Sequence, residues 1–146
     1  MRNELRFTVL DTKGHTIGIF RRKVDYKNMK IMDRINMMRR RPGMFVKEER
    51  IDYIFYDICG YCHGCYEYAE DDMDKRFYAW FGEWLRLWIV DNFDSEYTQK
   101  TFFWYEDIRA IAAQTGQNEA TLFYELCDLF FDDYINKKKY FHKENL

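Results

Sequence analysis

Residues that interrupt regular structure are scarce in this sequence. It contains one proline, Pro42, and seven glycines among 146 residues. A many-stranded β-sandwich needs frequent turns built from these residues. Their scarcity therefore argues against such a fold and favours long helices.

Long apolar runs are absent as well. No stretch approaches the roughly eighteen consecutive apolar residues of a transmembrane helix, and the amino-terminal residues lack the apolar core of a secretory signal peptide. We therefore expect a soluble, cytoplasmic protein without a membrane partner. In that reducing compartment the four cysteines are expected to be thiols.

Aromatic residues and charges are plentiful. The chain is 20% aromatic and 33% charged, and its length suits one domain with one core. Its net charge of −2 conceals a segregation, because residues 1–50 hold fourteen Lys and Arg against six Asp and Glu, whereas residues 51–136 hold five against eighteen. An acidic region of this size repels nucleic acid and attracts basic partners.

The hydrophobic periodicity predicts a mainly α fold, namely a bundle of about five helices with an N-terminal β-hairpin. The predicted strands lie near 5–11 and 15–22, and the predicted helices lie near 29–40, from 50 to about 66, from a cap at Asp74 to about 90, near 103–114 up to Gly116, and from a cap at Asn118 to about 136. We expect one domain that consists of a hairpin extension (1–27), a helical core (28–136) and a basic tail (137–146).

The segment CGYCHGC, residues 59–65, admits three interpretations. Its first five letters match the C-x-x-C-H pattern of haem attachment, but no export signal accompanies them. The side chains of Cys59, Cys62, His63 and Cys65 are also zinc ligand types, with Cys127 as a further candidate. A single regular helix does not wrap four ligands around one ion, and no second C-x-x-C pair exists. The third interpretation, small buried thiols on the apolar side of a helix, is the one we adopt, and we expect no cofactor.

Catalytic groups do not converge in the sequence. The three histidines are His15, His63 and His142, and a Cys–His nucleophile would require His63 to face a neighbouring cysteine. The acids at 70–74 and 132–133 have the pattern of solvated helix ends, and no Gly-rich phosphate loop is present. We therefore expect a protein without enzymatic activity.

Several short sequence motifs of this chain resemble motifs of other proteins. The turn RRRPGMF at 39–45 resembles that of the DNA gyrase B ATPase domain, but the nucleotide-binding motifs of that domain do not follow. The ordered set RPGMF, YDICGY, FFWYEDIRAI and QNEATLFYELCDLFF, with Phe77, Phe81 and Trp84 in between, resembles a group of small acidic helical bacterial proteins over residues 30–133. This resemblance implies an immunity protein of a bacterial toxin system. The hairpin is an addition to that pattern, and the cysteines stand where it has ordinary helix residues.

The leading hypothesis is thus a binding protein that neutralises a toxin, for example a nuclease, through an acidic face with aromatic anchors. The residues predicted to bind this basic partner are Glu67, Glu70, Asp71, Asp72 and Asp74 for charge, and Tyr66, Tyr68 and Trp80 as anchors. The alternative is a zinc-binding regulatory module built on Cys59, Cys62, His63 and Cys65. The sequence leaves the oligomeric state open.

Overall fold

The computed structural model describes residues 30–98 and 103–141, together with the backbone of two strands nearer the amino terminus. Its helices are α1 (Ile31–Arg40), a short 3₁₀ helix (Pro42–Met44), α2 (Ile51–Cys65), α3 (Asp72–Asn92), α4 (Trp104–Thr115) and α5 (Glu119–Asn136). Within these ranges the five α-helices pack against one another as a bundle, which confirms the predicted mainly α architecture.

Two strands, β1 (Leu5–Leu10) and β2 (Thr16–Arg22), pair antiparallel, with a register irregularity between Val9 and Leu10. The side chains of residues 1–29 lie outside the described part of the chain. The predicted hairpin extension of the helical domain, over residues 1–27, therefore stays a prediction. His15, His142 and the second half of the predicted basic tail (142–146) also lie outside the described residues.

Local signals set the ends of α4 and α5 as the sequence indicates. Gly116 follows α4 with a φ of 73°, a left-handed conformation that suits glycine. The side chain of Asn118 accepts a hydrogen bond from the Thr121 backbone N–H at 3.1 Å, which caps α5. Both predictions are confirmed.

The predicted start of α3 is wrong by a few residues. The residue that caps α3 is Asp71, whose Oδ1 accepts a hydrogen bond from the Met73 N–H at 2.7 Å. Asp74, the predicted cap, instead lies inside the first turn of α3 and is buried. Several acids follow one another here, and the sequence alone did not distinguish the capping carboxylate from its neighbours.

Aromatic side chains form the centre of the bundle. Phe77 and Phe81 of α3 are fully buried, as is Phe123 of α5. Trp104, the first residue of α4, stacks on Phe123 with ring centroids 5.3 Å apart and ring planes 2° from parallel. The aromatic stripe of α3 is therefore core, as its spacing predicts, and it joins α3 to both α4 and α5.

The buried face of α2 begins before its cysteines and continues through them. Ile54, Phe55, Ile58 and Cys62 are all buried, at spacings of one to four residues that keep them on one side of the helix. Cys62 has no exposed surface. The position of this thiol on the apolar side of the helix is confirmed.

The buried carboxylate of Asp74 links α3 to the amino end of α1. Its Oδ1 accepts hydrogen bonds from the backbone N–H groups of Lys30 and Ile31, at 2.7 and 2.6 Å. Lys30 occupies the N-cap position of α1 and provides no side-chain cap of its own. Asp74 therefore satisfies N–H groups at the start of α1 that have no partner within that helix, and it does so from a neighbouring helix.

A second buried carboxylate holds the segment that follows α5. Asp133 accepts hydrogen bonds from the Trp84 indole Nε1–H at 3.0 Å, from the Lys139 N–H at 2.6 Å and from the Tyr140 N–H at 3.0 Å. Lys137 turns the chain back through a left-handed conformation with a φ of 50°. The prediction that the acids at 132–133 form a solvated helix end is wrong for Asp133, because its carboxylate faces inward.

None of the described helices combines the length and the apolar character needed to cross a bilayer.

Removal of the Asp74 carboxylate should destabilise the fold. We expect Asp74→Ala to lower the free energy of unfolding by about 2–3 kcal/mol, because two backbone N–H groups lose their acceptor. Asp74→Asn retains an acceptor oxygen, so it should lose less than half as much. Urea denaturation checks this, with Glu67→Ala as the exposed control, expected to change stability by less than about 0.5 kcal/mol. Equal stability of Asp74→Ala and Glu67→Ala would contradict the capping role.

The difference in unfolding free energy between wild type and Asp74→Asn should also depend on pH. Burial raises the pKa of Asp74 in the folded protein, in opposition to the lowering by the Ile31 and Lys30 N–H groups. Because the folded state then binds the proton more tightly than the unfolded chain, the wild type should gain stability over Asp74→Asn as pH falls through the folded pKa. The gain is complete below the unfolded value of about 3.9 and is lost as pH rises through the folded pKa. If the stability advantage of wild type over Asp74→Asn shrinks on acidification, the pKa of Asp74 is not raised in the folded protein.

Candidate binding surface

The connection between α2 and α3 presents two tyrosines to solvent. Hydrogen bonds from the Tyr68 and Ala69 N–H groups to the Cys65 carbonyl, at 3.0 and 2.8 Å, close the end of α2. Tyr66 is 56% exposed and Tyr68 is 82% exposed. Both predicted tyrosine anchors are thus accessible at one turn.

Three of the predicted acids lie at the same turn. Glu67, Glu70 and Asp72 are exposed, and within residues 30–98 and 103–141 none of them takes part in an ion pair. We call residues 66–72 the acidic turn. Lys75 and Arg76 follow on α3, so the negative charge is confined to this short segment.

Two predicted acids do not belong to a docking face. The prediction is wrong for Asp74, because its carboxylate is buried and occupied by the start of α1. Asp71 is half-buried, its side chain caps α3, and burial raises its pKa. Trp80, a predicted anchor, is half-buried against the core beside Tyr134, with ring centroids 6.3 Å apart. The acidic turn therefore consists of fewer binding residues than the sequence indicates.

Several acids elsewhere in the described residues pair with neighbouring arginines. Arg34 forms a two-point contact with Asp57, at 2.9 and 3.1 Å, and Arg39 lies 2.8 Å from Asp128. Asp52 lies between two arginines, with Arg50 at 2.8 Å and Arg109 at 3.1 Å. Arginines within 30–50 thus offset charge along α2 and α5, whereas the three exposed acids of the acidic turn have no ion-pair partner among the described residues.

The cysteine cluster is not assembled as a metal site. Cys62 is buried, Cys59 and Cys65 are half-buried, and His63 is exposed with its ring 5.3 Å from that of Tyr78. Among the residues that the structure describes, no group of three or more His, Cys, Asp or Glu side chains is placed to hold a metal ion. The four ligands of the zinc alternative are thus not brought together.

The same thiols lie in surroundings that disfavour the thiolate. Burial raises the pKa of Cys59 to about 11 and that of Cys62 to about 12. Burial also raises the pKa of Cys127, on α5, well above its ordinary value. At neutral pH these groups are protonated and poorly nucleophilic.

A groove between α2 and α3 is the feature that sequence reasoning missed. It encloses about 650 Å³ and is walled by Phe55 and Tyr56 of α2, Tyr78 of α3, and Phe103, which precedes α4. Its other lining residues are small or polar, namely Cys59, Gly60, His63, Ala79, Gly82 and Glu83. The sequence feature that could have indicated the groove is the presence of small residues in both α2 and α3. Whether these residues face each other depends on how the two helices pack.

Gly60 provides a test of whether the groove floor is open. An added Cβ at this position would meet nothing within 4 Å, and the residue lies inside α2. We expect Gly60→Ala to raise the free energy of unfolding by about 0.5–1 kcal/mol, because alanine loses less backbone entropy in a helix. The control Gly116→Ala should lower it by about 1–2 kcal/mol, because its φ is left-handed. Urea denaturation of both variants measures this, and a destabilised Gly60→Ala protein would mean that the site is closed.

Thiol alkylation tests the surroundings of the cysteines. At pH 7.5 Cys59 should react with iodoacetamide about 100-fold more slowly than a free cysteine, and its rate should keep rising beyond pH 10. Peptide mass spectrometry follows each thiol separately, and urea-unfolded protein provides the fast reference. A rate that levels off by about pH 10 would show an ordinary, solvent-accessible thiol instead.

No protein-family model, curated protein or solved structure with which we compared the chain matches it.

Proposed function

We propose that this protein is a non-enzymatic binding protein that captures a basic protein partner through the acidic turn. The observation that carries the proposal is the coincidence of three exposed acids without ion pairs and two exposed tyrosines within residues 66–72. Tyrosine and concentrated charge are typical of sites where a few residues dominate protein association.

The distribution of charge supports a basic partner. Asp57, Asp128 and Asp52 are paired with arginines, whereas the turn brings three exposed acids without ion pairs together and so presents a local negative field. Such a field attracts a basic surface and raises the association rate, most strongly at low salt. The turn also lies between two packed helices, which hold its ends in place.

We further propose that the partner is a bacterial toxin and that the protein acts as its cytoplasmic immunity protein. The likeness over residues 30–133 to small acidic immunity-type proteins supports this identification, as does the acidic turn. A nuclease toxin binds phosphates through a basic cleft, and a rigid acidic turn that occupies such a cleft excludes the substrate.

The amino-terminal region belongs to this proposal as a separate element. We propose that residues 1–27 form a β-hairpin extension of the helical domain. The antiparallel register that joins Leu5–Leu10 to Thr16–Arg22 supports this assignment.

Charge reversal at the turn tests the proposal. Immobilised wild-type protein and the triple variant Glu67→Lys, Glu70→Lys, Asp72→Lys are used to capture proteins from the source cell, and the captured protein is then titrated against both. We expect the variant to bind at least about tenfold more weakly at low salt, with the difference shrinking above about 0.5 M NaCl because salt screens the attraction. Co-expression with the captured protein then shows whether wild type, but not the variant, prevents growth arrest.

A matched variant separates local charge from net charge. Glu48, Glu96 and Glu125 are exposed acids on other parts of the surface, and their joint replacement by lysine changes the net charge equally. This control should retain near wild-type affinity. Equal loss in both triple variants, or equal binding by the turn variant and wild type, would rule out the acidic turn as the binding site.

A further inference from the structure

The α2–α3 groove has the dimensions and lining of a small-molecule site. Its volume of about 650 Å³ lies within the range of about 300–1,000 Å³ that is typical of ligand pockets. Phe55, Tyr56, Tyr78 and Phe103 provide aromatic walls, and Tyr56 and Phe103 are 56% and 41% exposed. Flat apolar ring systems are the ligands that such walls accommodate by stacking and edge contacts.

Gly60 keeps the floor of the groove open, although no neighbouring atom requires a glycine at this position. At Gly82 an added Cβ would come within 3.3 Å of the Trp104 ring, so close packing accounts for that glycine. At Gly60 an added Cβ would meet nothing within 4 Å, although glycine inside a helix is unfavourable relative to alanine. The structural consequence of glycine at position 60 is the space that it leaves in the groove.

The charge of the lining favours a cation. Glu83 is exposed, and within the described residues it forms no ion pair, while no lysine or arginine lines the groove. The faces of Tyr56 and Tyr78 also attract positive charge. The remaining polar lining residue is His63, so an anionic ligand would find no lysine or arginine to pair with in the groove.

We propose that this groove is a binding site for a small aromatic molecule that carries a cationic group. The ring system lies over Gly60 between the aromatic walls, and the cationic group faces Glu83. This site is distinct from the acidic turn, so it stands or fails separately from the proposed function.

Tryptamine and indole-3-acetate are a suitable pair of probes, because both carry an indole and differ in the sign of their charge. Each is titrated into the full ¹⁵N-labelled chain, and amide shifts are followed by NMR. We expect tryptamine to shift the amides of residues 78–83 and 59–63 saturably, with a Kd on the order of 1 mM for a ligand of this size. Indole-3-acetate should bind about fivefold more weakly, as expected for one exposed charge contact.

Three variants make the test specific. Gly60→Leu and Ala79→Leu each fill the groove from opposite walls and should abolish the saturable shifts, while circular dichroism and thermal melting verify that each variant folds. Glu83→Gln should keep tryptamine binding but remove its preference over indole-3-acetate. A leucine variant is used only if its thermal melting is cooperative, which shows that it folds. One folded leucine variant is enough to test whether filling the groove abolishes binding.

Three results would overturn the proposal. The first is shifts that do not saturate up to about 20 mM tryptamine, roughly twenty times the expected Kd. The second is binding that persists in a folded groove-filling variant. The third is saturable shifts confined to residues 66–72, which would place the cation on the acidic turn instead.

Discussion

The surface of this protein depends on one buried interaction, the contact of the Asp74 carboxylate with the start of α1. Two backbone N–H groups that α1 cannot satisfy internally are held by a carboxylate of α3. With α1 docked in this way, Arg34 reaches Asp57 of α2 and Arg39 reaches Asp128 of α5. The same contact thus helps to place two of the arginines that pair with acids on neighbouring helices.

Close packing in the aromatic core determines where the wall of the groove lies. Trp104 stacks on Phe123 and lies against Gly82, so the Trp104 ring packs closely on the backbone of α3 at that point. Phe103, the preceding residue, is then placed at the edge of the space between α2 and α3. The groove is therefore a product of how large rings fill the centre of the bundle and how small residues face each other beside it.

Several features could be predicted because their causes are local. The apolar stripe of α2, the stop at Gly116 and the cap at Asn118 each depend on residues within one or two turns of chain. The assignment of the carboxylates could not be predicted in the same way. Asp71, Asp72 and Asp74 are adjacent in sequence, yet one caps α3, one is exposed and one is buried against another helix. Those roles depend on what lies opposite each side chain.

The sequence by itself determined the helical bundle and most helix ends, because hydrophobic periodicity and capping residues act over short distances. Only the tertiary structure decided which acids stay unpaired and that a groove opens beside Gly60. The groove and the ion pairs Arg34–Asp57 and Arg39–Asp128 are made by side chains from different helices. Their formation depends on the relative placement of those helices, which no single segment of sequence contains.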